Sequence, residues 1–409
     1  MKKNLRFVFV LFTLFAAMLA CANPLSGTAP ASANVETVVA ATFAALTVSA
    51  PQASATPLPL TVGLLPHSMY FLNTDNAGLA QIYRLDQDGK TVTQVTFEPA
   101  KVESYDVSPI DGSVVYATNN QLFTVNADGS SRSMIVDGGP LDPNDAFIRH
   151  INIPLWSPDG QTITYGYQGI SSYSIMAGQS TLILEDQLTT DNGSTFGEVY
   201  IPIRYSPDGS KLLINMVPLA SDGGAMGIFT PGTKSVVRLT GANHRICCAL
   251  EWAGDNSTLY GGYAAFNPFV SPGLWRVDAA SGAVTDLIPG LTENNSILNF
   301  ASNPFPAPDG QLYFFYTTQP YTQQDEVSRA PLQLVRSAAD GVTNRTLLNP
   351  DIFNTLNEAL WAPDASFVIT ASGPIADVYQ GGIVELYYTD GQRPPISLLP
   401  FAFELKWGP

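Results

Sequence analysis

The chain has 409 residues, 45% hydrophobic and only 13% charged, with 33 glycines and 31 prolines, a turn-rich balance; large β folds often run this long as one unit. Its net charge of −16 repels phosphate backbones and anionic headgroups, which argues against a nucleic-acid partner. The histidines, His67, His150 and His244, are scattered without metal-ligand spacing, and no metal or other cofactor is expected.

Taken from its start, the chain opens with Lys2, Lys3 and Arg6 ahead of an apolar run at 7–20. That run is too short to span a bilayer and has the length of a signal-peptide core. It ends Met18-Leu19-Ala20-Cys21, which resembles the lipobox of bacterial lipoproteins, whose cysteine becomes the lipidated first residue. That family usually has Leu three places and a small residue two places before the cysteine, where this chain has Met18 and Leu19. The resemblance implies a signal peptide at 1–20, a lipid on Cys21 and a place in the cell envelope. The anchor would lie on the outer face of the cytoplasmic membrane or in the outer membrane, with membrane contact through the lipid alone. The alternative is an ordinary secretory signal with an incidental cysteine. Removing 1–20 takes away three positive charges and no acid, moving the net charge from −16 to −19. Residues 21–65 are rich in Ala, Pro, Ser and Thr and nearly uncharged; they bury too little to fold and form a tether, with a short helix at most over 35–46.

From residue 66 onward one phrase recurs: Val107-Ser108-Pro109-Ile110-Asp111-Gly112, Trp156-Ser157-Pro158-Asp159-Gly160 and Tyr205-Ser206-Pro207-Asp208-Gly209. Weaker copies lie at 252–256, 306–310 and 361–365, and the chain stops inside a seventh, Trp407-Gly408-Pro409. The Ser-like positions are 49, 49, 47, 54, 55 and 46 residues apart. Pro fixes φ, Asp bonds its own backbone and Gly takes positive φ, so each phrase predicts a tight turn. A strand follows each, at 113–118, 162–167, 211–217, 258–263, 311–317 and 366–372, and a second Asp-Gly turn often comes later, at 86–89, 126–129, 339–341 and 389–391. Four strands per repeat of about fifty residues is the pattern of a propeller blade.

The phrases resemble the repeat of TolB-type, WD-like propellers with a W-S-P-D-G hallmark. The resemblance implies an all-β chain with a single β-propeller over 66–409. Seven four-stranded blades are expected, with six and eight as the neighbouring counts because 171–191 resists parsing. Segment 68–72 has no turn phrase before it and 401–407 has no strand after it, so the two ends are expected to pair and close the ring, leaving no open edge.

Strand alternation puts both kinds of tight turn on one face. The second-to-third loops fall on the other, at 168–179, 218–227, 264–273, 318–330 and 373–382; this long-loop face is the candidate functional face. Eight residues before the Ser-like position stand Arg149, Glu198, Arg245, Asn299 and Asn354, with His150 and His244 beside the two arginines. They form a candidate ligand-binding ring at the channel mouth, or they bond the exposed backbone where strands start. Trp156, Trp252, Trp361 and Trp407 share one repeat position and are expected to pack blade against blade, whereas Tyr173, Phe266, Phe269, Tyr321 and Tyr379 fall on loops. Adjacent Cys247 and Cys248 form either a strained vicinal disulfide or two reduced core thiols.

No nucleophile elbow occurs and no hydrolase-sized segment follows the propeller. The reading that follows is a non-catalytic binding or scaffold module for a protein, peptide or glycan. The alternatives are an extracellular hydrolase or lyase with its site at the channel mouth, which would need converging carboxylates, and a TolB-like envelope assembly factor, which rests on fold alone.

Overall fold

The turn phrase closes on itself. The Ser157 N–H donates to Thr162 O at 2.9 Å and the Gly160 N–H to Ser157 O at 2.8 Å. The Ser157 hydroxyl donates to Asp159 Oδ1 at 2.6 Å, and the same carboxylate accepts from the Gln161 N–H at 3.0 Å. The Ser206 phrase repeats the first three bonds and takes Ser210 N–H in place of the last. Gly160 and Gly209 sit at φ 67° and 73°. In two of the weaker copies the same left-handed corner is occupied by Asn256 (φ 56°) and Ala365 (φ 59°), the alanine at a cost of roughly 1–2 kcal/mol.

A computed structural model describes residues 63–141, 148–192, 194–219, 224–240, 250–266, 271–294, 296–321 and 326–409. Strands β1 (Met69–Thr74), β2 (Ala80–Leu85) and β3 (Val92–Gln94) begin the first blade. Blade two holds β4 (Ser104–Val107), β5 (Val114–Thr118), β6 (Gln121–Val125) and β7 (Ser133–Asp137). Blade three holds β8 (Asn152–Trp156), β9 (Thr162–Gly166), β10 (Gly169–Ser174) and β11 (Gln179–Glu185). Blade four adds a hairpin strand, β12 (Gln187–Asp191), to β13 (Ser194–Tyr205), β14 (Leu212–Leu219), β15 (Ala225–Thr230) and β16 (Ser235–Arg238). Blade five holds β17 (Leu250–Trp252), β18 (Thr258–Tyr263), β19 (Gly273–Asp278) and β20 (Val284–Pro289); blade six holds β21 (Ile297–Pro306), β22 (Gln311–Pro320), β23 (Gln333–Ala338) and β24 (Thr346–Leu347). Blade seven holds β25 (Leu356–Trp361), β26 (Phe367–Ser372), β27 (Gly382–Tyr388) and β28 (Ile396–Trp407).

Strand β28 serves two blades. Its first half pairs β27 and its second half pairs β1, with Met69 opposite Trp407 and Leu72 opposite Phe403. The two end blades therefore form one continuous sheet, β25-β26-β27-β28-β1-β2-β3, and the chain ends close the ring of a seven-bladed β-propeller. Each blade presents a second strand of nearly unbroken apolar residues because both its faces are covered by neighbours; β5 (VVYAT) and β26 (FVITA) are buried over five consecutive positions.

Two placements differ from the sequence expectation. Segment 168–179 is not a long loop: Gln168 and Gly169 at φ 54° and 112° turn the chain at once into β10, and the protruding element here is the β12–β13 hairpin. Leu65, counted with the tether, is 2% exposed in the core of the closing sheet, and its N–H donates to Gln87 O at 3.0 Å.

Candidate functional site

Inner strands run from the long-loop face to the turn face, so alternate residues of each point at the axis. Two places before the Ser-like position stand Asp106, Leu155, Arg204, Glu251, Phe305, Leu360 and Lys406, and all seven line one cavity of about 540 Å³ at the turn-face mouth. Lys406 Nζ lies 3.1 Å from Asp106 Oδ1, and Arg204 pairs with Glu251, so the four charges cancel in two neighbouring-blade pairs. The remaining three positions are apolar. Asp106 also accepts the Trp156 N–H at 2.8 Å, which joins β4 to β8.

One residue further along, two of the tryptophans bond blade to blade. The Trp407 indole N–H donates to Trp361 O at 2.7 Å, and the Trp361 indole N–H donates to Asn303 O at 3.0 Å. Trp361 also stacks on Phe305 with centroids 5.6 Å apart. Above this level the inner strands bulge: register slips occur in β8, β13, β21, β25 and β28, with Ile153, Asn303 and Glu404 at φ 38°, 48° and 52°. Glu358, beside the bulge of β25, accepts the Leu405 N–H at 3.0 Å; burial pushes its carboxyl, and that of Glu404, above the usual carboxylate range.

On the long-loop side a second cavity of about 380 Å³ lies between blades five, six and seven. Its floor is Ser302 and Asn303 of β21 with Leu356 and Asn357 of β25; its walls are Ala264, Ser328, Arg329, Asn354 and Tyr379 from four separate connections. The walls are braced. Phe266 and Val327 exchange backbone hydrogen bonds, at 2.7 and 2.9 Å, and Phe266 meets Tyr321 edge-on at 5.6 Å. Arg329 Nη2 donates to Asn357 Oδ1 at 2.8 Å and to Val378 O at 2.5 Å, while its Cζ stands 4.3 Å over the Tyr379 ring.

The described members of the candidate ring have different partners. The carbonyl of Arg149 accepts from Asn120 at 3.1 Å; His150 Nε2 lies 2.7 Å from Glu103 Oε2. Glu198 pairs with Arg238 of β16 in its own blade. Asn299, 8% exposed, donates to Pro289 O and accepts from the Tyr316 hydroxyl, both at 2.8 Å. Asn354 lines the long-loop cavity. Cys21, His244, Arg245, Cys247, Cys248 and Phe269 lie outside the described residues, as does the 35–46 segment. Among the loop aromatics, Tyr173 belongs to β10 and packs on the core, and Tyr379 is 61% exposed. Sequence reasoning missed the axial ring because it looked eight residues before the turn; the signal, alternation counted back two from each Ser-like residue, was present. Among the described residues no three metal-ligating side chains gather.

No protein-family profile matches the chain, and no curated protein matches it in sequence. Solved structures do match. A puromycin-hydrolyzing peptidase of Mycobacterium tuberculosis gives a TM-score of 0.51 at 14% identity, over 83% of this chain and 52% of that one. An oligogalacturonate lyase in complex with manganese gives 0.50 at 8% identity, over 81% and 84%. TolB from Acinetobacter baumannii gives 0.39 at 13%, over 79% and 75%. This chain spans about half of the peptidase. Sheet topology and repeated turns define a β-propeller; at these identities the likenesses to the lyase and the peptidase speak for the fold alone.

Proposed function

We propose that the chain is an exported, lipid-tethered propeller that binds a protein or peptide, without catalysis, through the long-loop face of blades six and seven. The observation that carries this is the long-loop cavity. Its described lining includes no His, Asp, Glu, Cys or Lys. A hydroxyl there has no base to activate it, and no group titrating near neutrality stands ready to move a proton. What the lining offers is fixed polar donors and acceptors on braced loops, the features of recognition.

The surroundings favour a peptide over a glycan. Ile297, Ile352, Ile375 and Ile383 are 41–59% exposed at the long-loop ends of blades six and seven, apolar surface on the same face as the cavity. Sugar rings stack on open aromatic faces, and Arg329 already covers one face of Tyr379. Export and anchoring rest on the basic start, the apolar run and Cys21.

The test begins with the full chain expressed as wild type and as Cys21→Ser: the wild type stays with membranes and the variant is released. The released chain is then used to select peptides from a random displayed library. Selected peptides are expected to lose at least tenfold in affinity on Tyr379→Ala or Asn354→Ala, and to keep it on Arg204→Ala at the opposite mouth. Enrichment of no peptide, or the reverse pattern, contradicts the proposal.

A further inference from the structure

We infer that Arg329 makes the long-loop cavity a receptor for a carboxylate, that of a peptide's C-terminus; this rests on the binding function proposed above. The first ground is how the cations of the described body are used. Arg84, Arg132, Arg204, Arg238, Arg393 and Lys406 each pair with an acid, whereas Lys211 and Arg345 bond the carbonyls of Asn256 and Gly341, away from this cavity. Arg329 gives its bonds, at 2.8 and 2.5 Å, to neutral oxygens of Asn357 and Val378, and it does so in the lining of a cavity. Among the described residues no carboxylate neutralises it.

The second ground is that the guanidinium is fixed. Asn357 Nδ2 donates to Val378 O at 3.0 Å and to Gly381 O at 2.5 Å, which sets the amide so that Oδ1 faces Arg329. The Tyr379 ring supports the guanidinium plane, with Cζ 4.3 Å from the centroid. Two hydrogen bonds occupy Nη2, and Nε is buried with no hydrogen-bond partner among the described residues. A fixed planar guanidinium with donors to spare is the group that binds a carboxylate with directed, charge-assisted bonds. Asn354 and Ser328 stand in the same lining as neutral donors for the second carboxylate oxygen, and no acid among the described lining residues opposes the ligand.

The third ground separates the two sources of a carboxylate. A C-terminal group enters a cavity of about 380 Å³ end-on and leaves its last side chain toward the long-loop face, where Ile375 and Ile383 are exposed. An internal acidic side chain would have to bring the chain past the cavity on both sides.

The experiment uses the released Cys21→Ser chain and three N-acetylated dipeptide probes, followed by saturation-transfer NMR and titration. One has isoleucine at both positions with a free carboxyl end, one is its C-terminal amide, and one carries an aspartate with an amidated end. The free acid is expected to bind at least tenfold more tightly than either amide. Arg329→Gln should erase that difference, and Arg329→Lys should restore part of it. Equal binding of the acid and its amide, or a preference that survives Arg329→Gln, overturns the carboxylate inference and leaves a neutral peptide site. Preference for the aspartate probe overturns the C-terminal assignment. Binding of none of the three overturns the inference together with the peptide-binding function beneath it. The comparison on the unmutated cavity stands even where an Arg329 variant fails to fold.

Discussion

Glu98 shows how much of this molecule rests on residues outside the turn phrases. It follows β3, is 5% exposed and receives two hydrogen bonds from Arg132, at 2.5 and 2.8 Å, and one from the Tyr116 hydroxyl at 2.6 Å. Gln81 brackets its backbone, donating to Glu98 O at 2.9 Å and accepting from the Glu98 N–H at 3.0 Å. Burial alone would raise the carboxyl; the Arg132 and Tyr116 bonds outweigh it and hold the group below its ordinary value. The sign follows: a depressed carboxyl contributes stability that is present above its unfolded value and is lost as pH falls through the folded one. Asp88 and Asp208, exposed in their turns, are held at about 2 by Thr91 and Ser206 hydroxyls and nearby N–H groups, and act in the same direction. Glu98→Gln is expected to lower stability at pH 7 by about 2–3 kcal/mol in urea unfolding, because hydrogen bonds to a buried charge are lost. It should also make the decline between about pH 5 and pH 3 shallower than in the wild type. An unchanged midpoint at pH 7 would show that the Arg132 fork contributes nothing.

At the scale of elements, closure depends on one strand. Beyond pairing β27 and β1, β28 carries Trp407, whose bond to Trp361 O begins the blade-to-blade chain that continues to Asn303. Ending the chain at Pro400 should leave β1 with an open edge and split the single thermal unfolding transition or lower it by several degrees. Adding a synthetic peptide of residues 396–409 should reverse the change. An unaltered transition in the truncated chain would mean that the ring is held by packing without this strand. Much of this architecture was legible in the sequence because its signals are local: Pro, Asp and Gly at fixed offsets dictate a turn wherever they occur, and their spacing gives the blade. The pairing of 68–72 with 401–407 followed from counting strands. Blade three was not legible, because the β9–β10 corner uses Gln168 and Gly169 at positive φ and carries no turn phrase. Nor were the inner-strand bulges, since a register slip is a property of a pair of strands and neither sequence announces it.

Over the whole molecule the two faces are built differently. The turn face ends in a ring whose four charges cancel between Asp106 and Lys406 and between Arg204 and Glu251, so it offers little net attraction to an ion. The long-loop face keeps Arg329 on neutral partners in the wall of a cavity, and exposed aliphatic side chains share that face. That second site was not legible in the sequence: Ala264, Arg329, Asn354 and Tyr379 come from three blades and meet only because the propeller stacks blades five to seven side by side. Of the residues picked eight places before the turn, Asn354 lies there, while Glu198 and Asn299 engage strands and backbone of their own surroundings. The most direct test of the account is amide hydrogen exchange of the released chain with and without the free-carboxyl isoleucine dipeptide. The account predicts protection confined to 328–332, 352–357 and 375–381. Protection centred on 203–205 and 405–407 at the turn-face mouth, or none on either face, would contradict it.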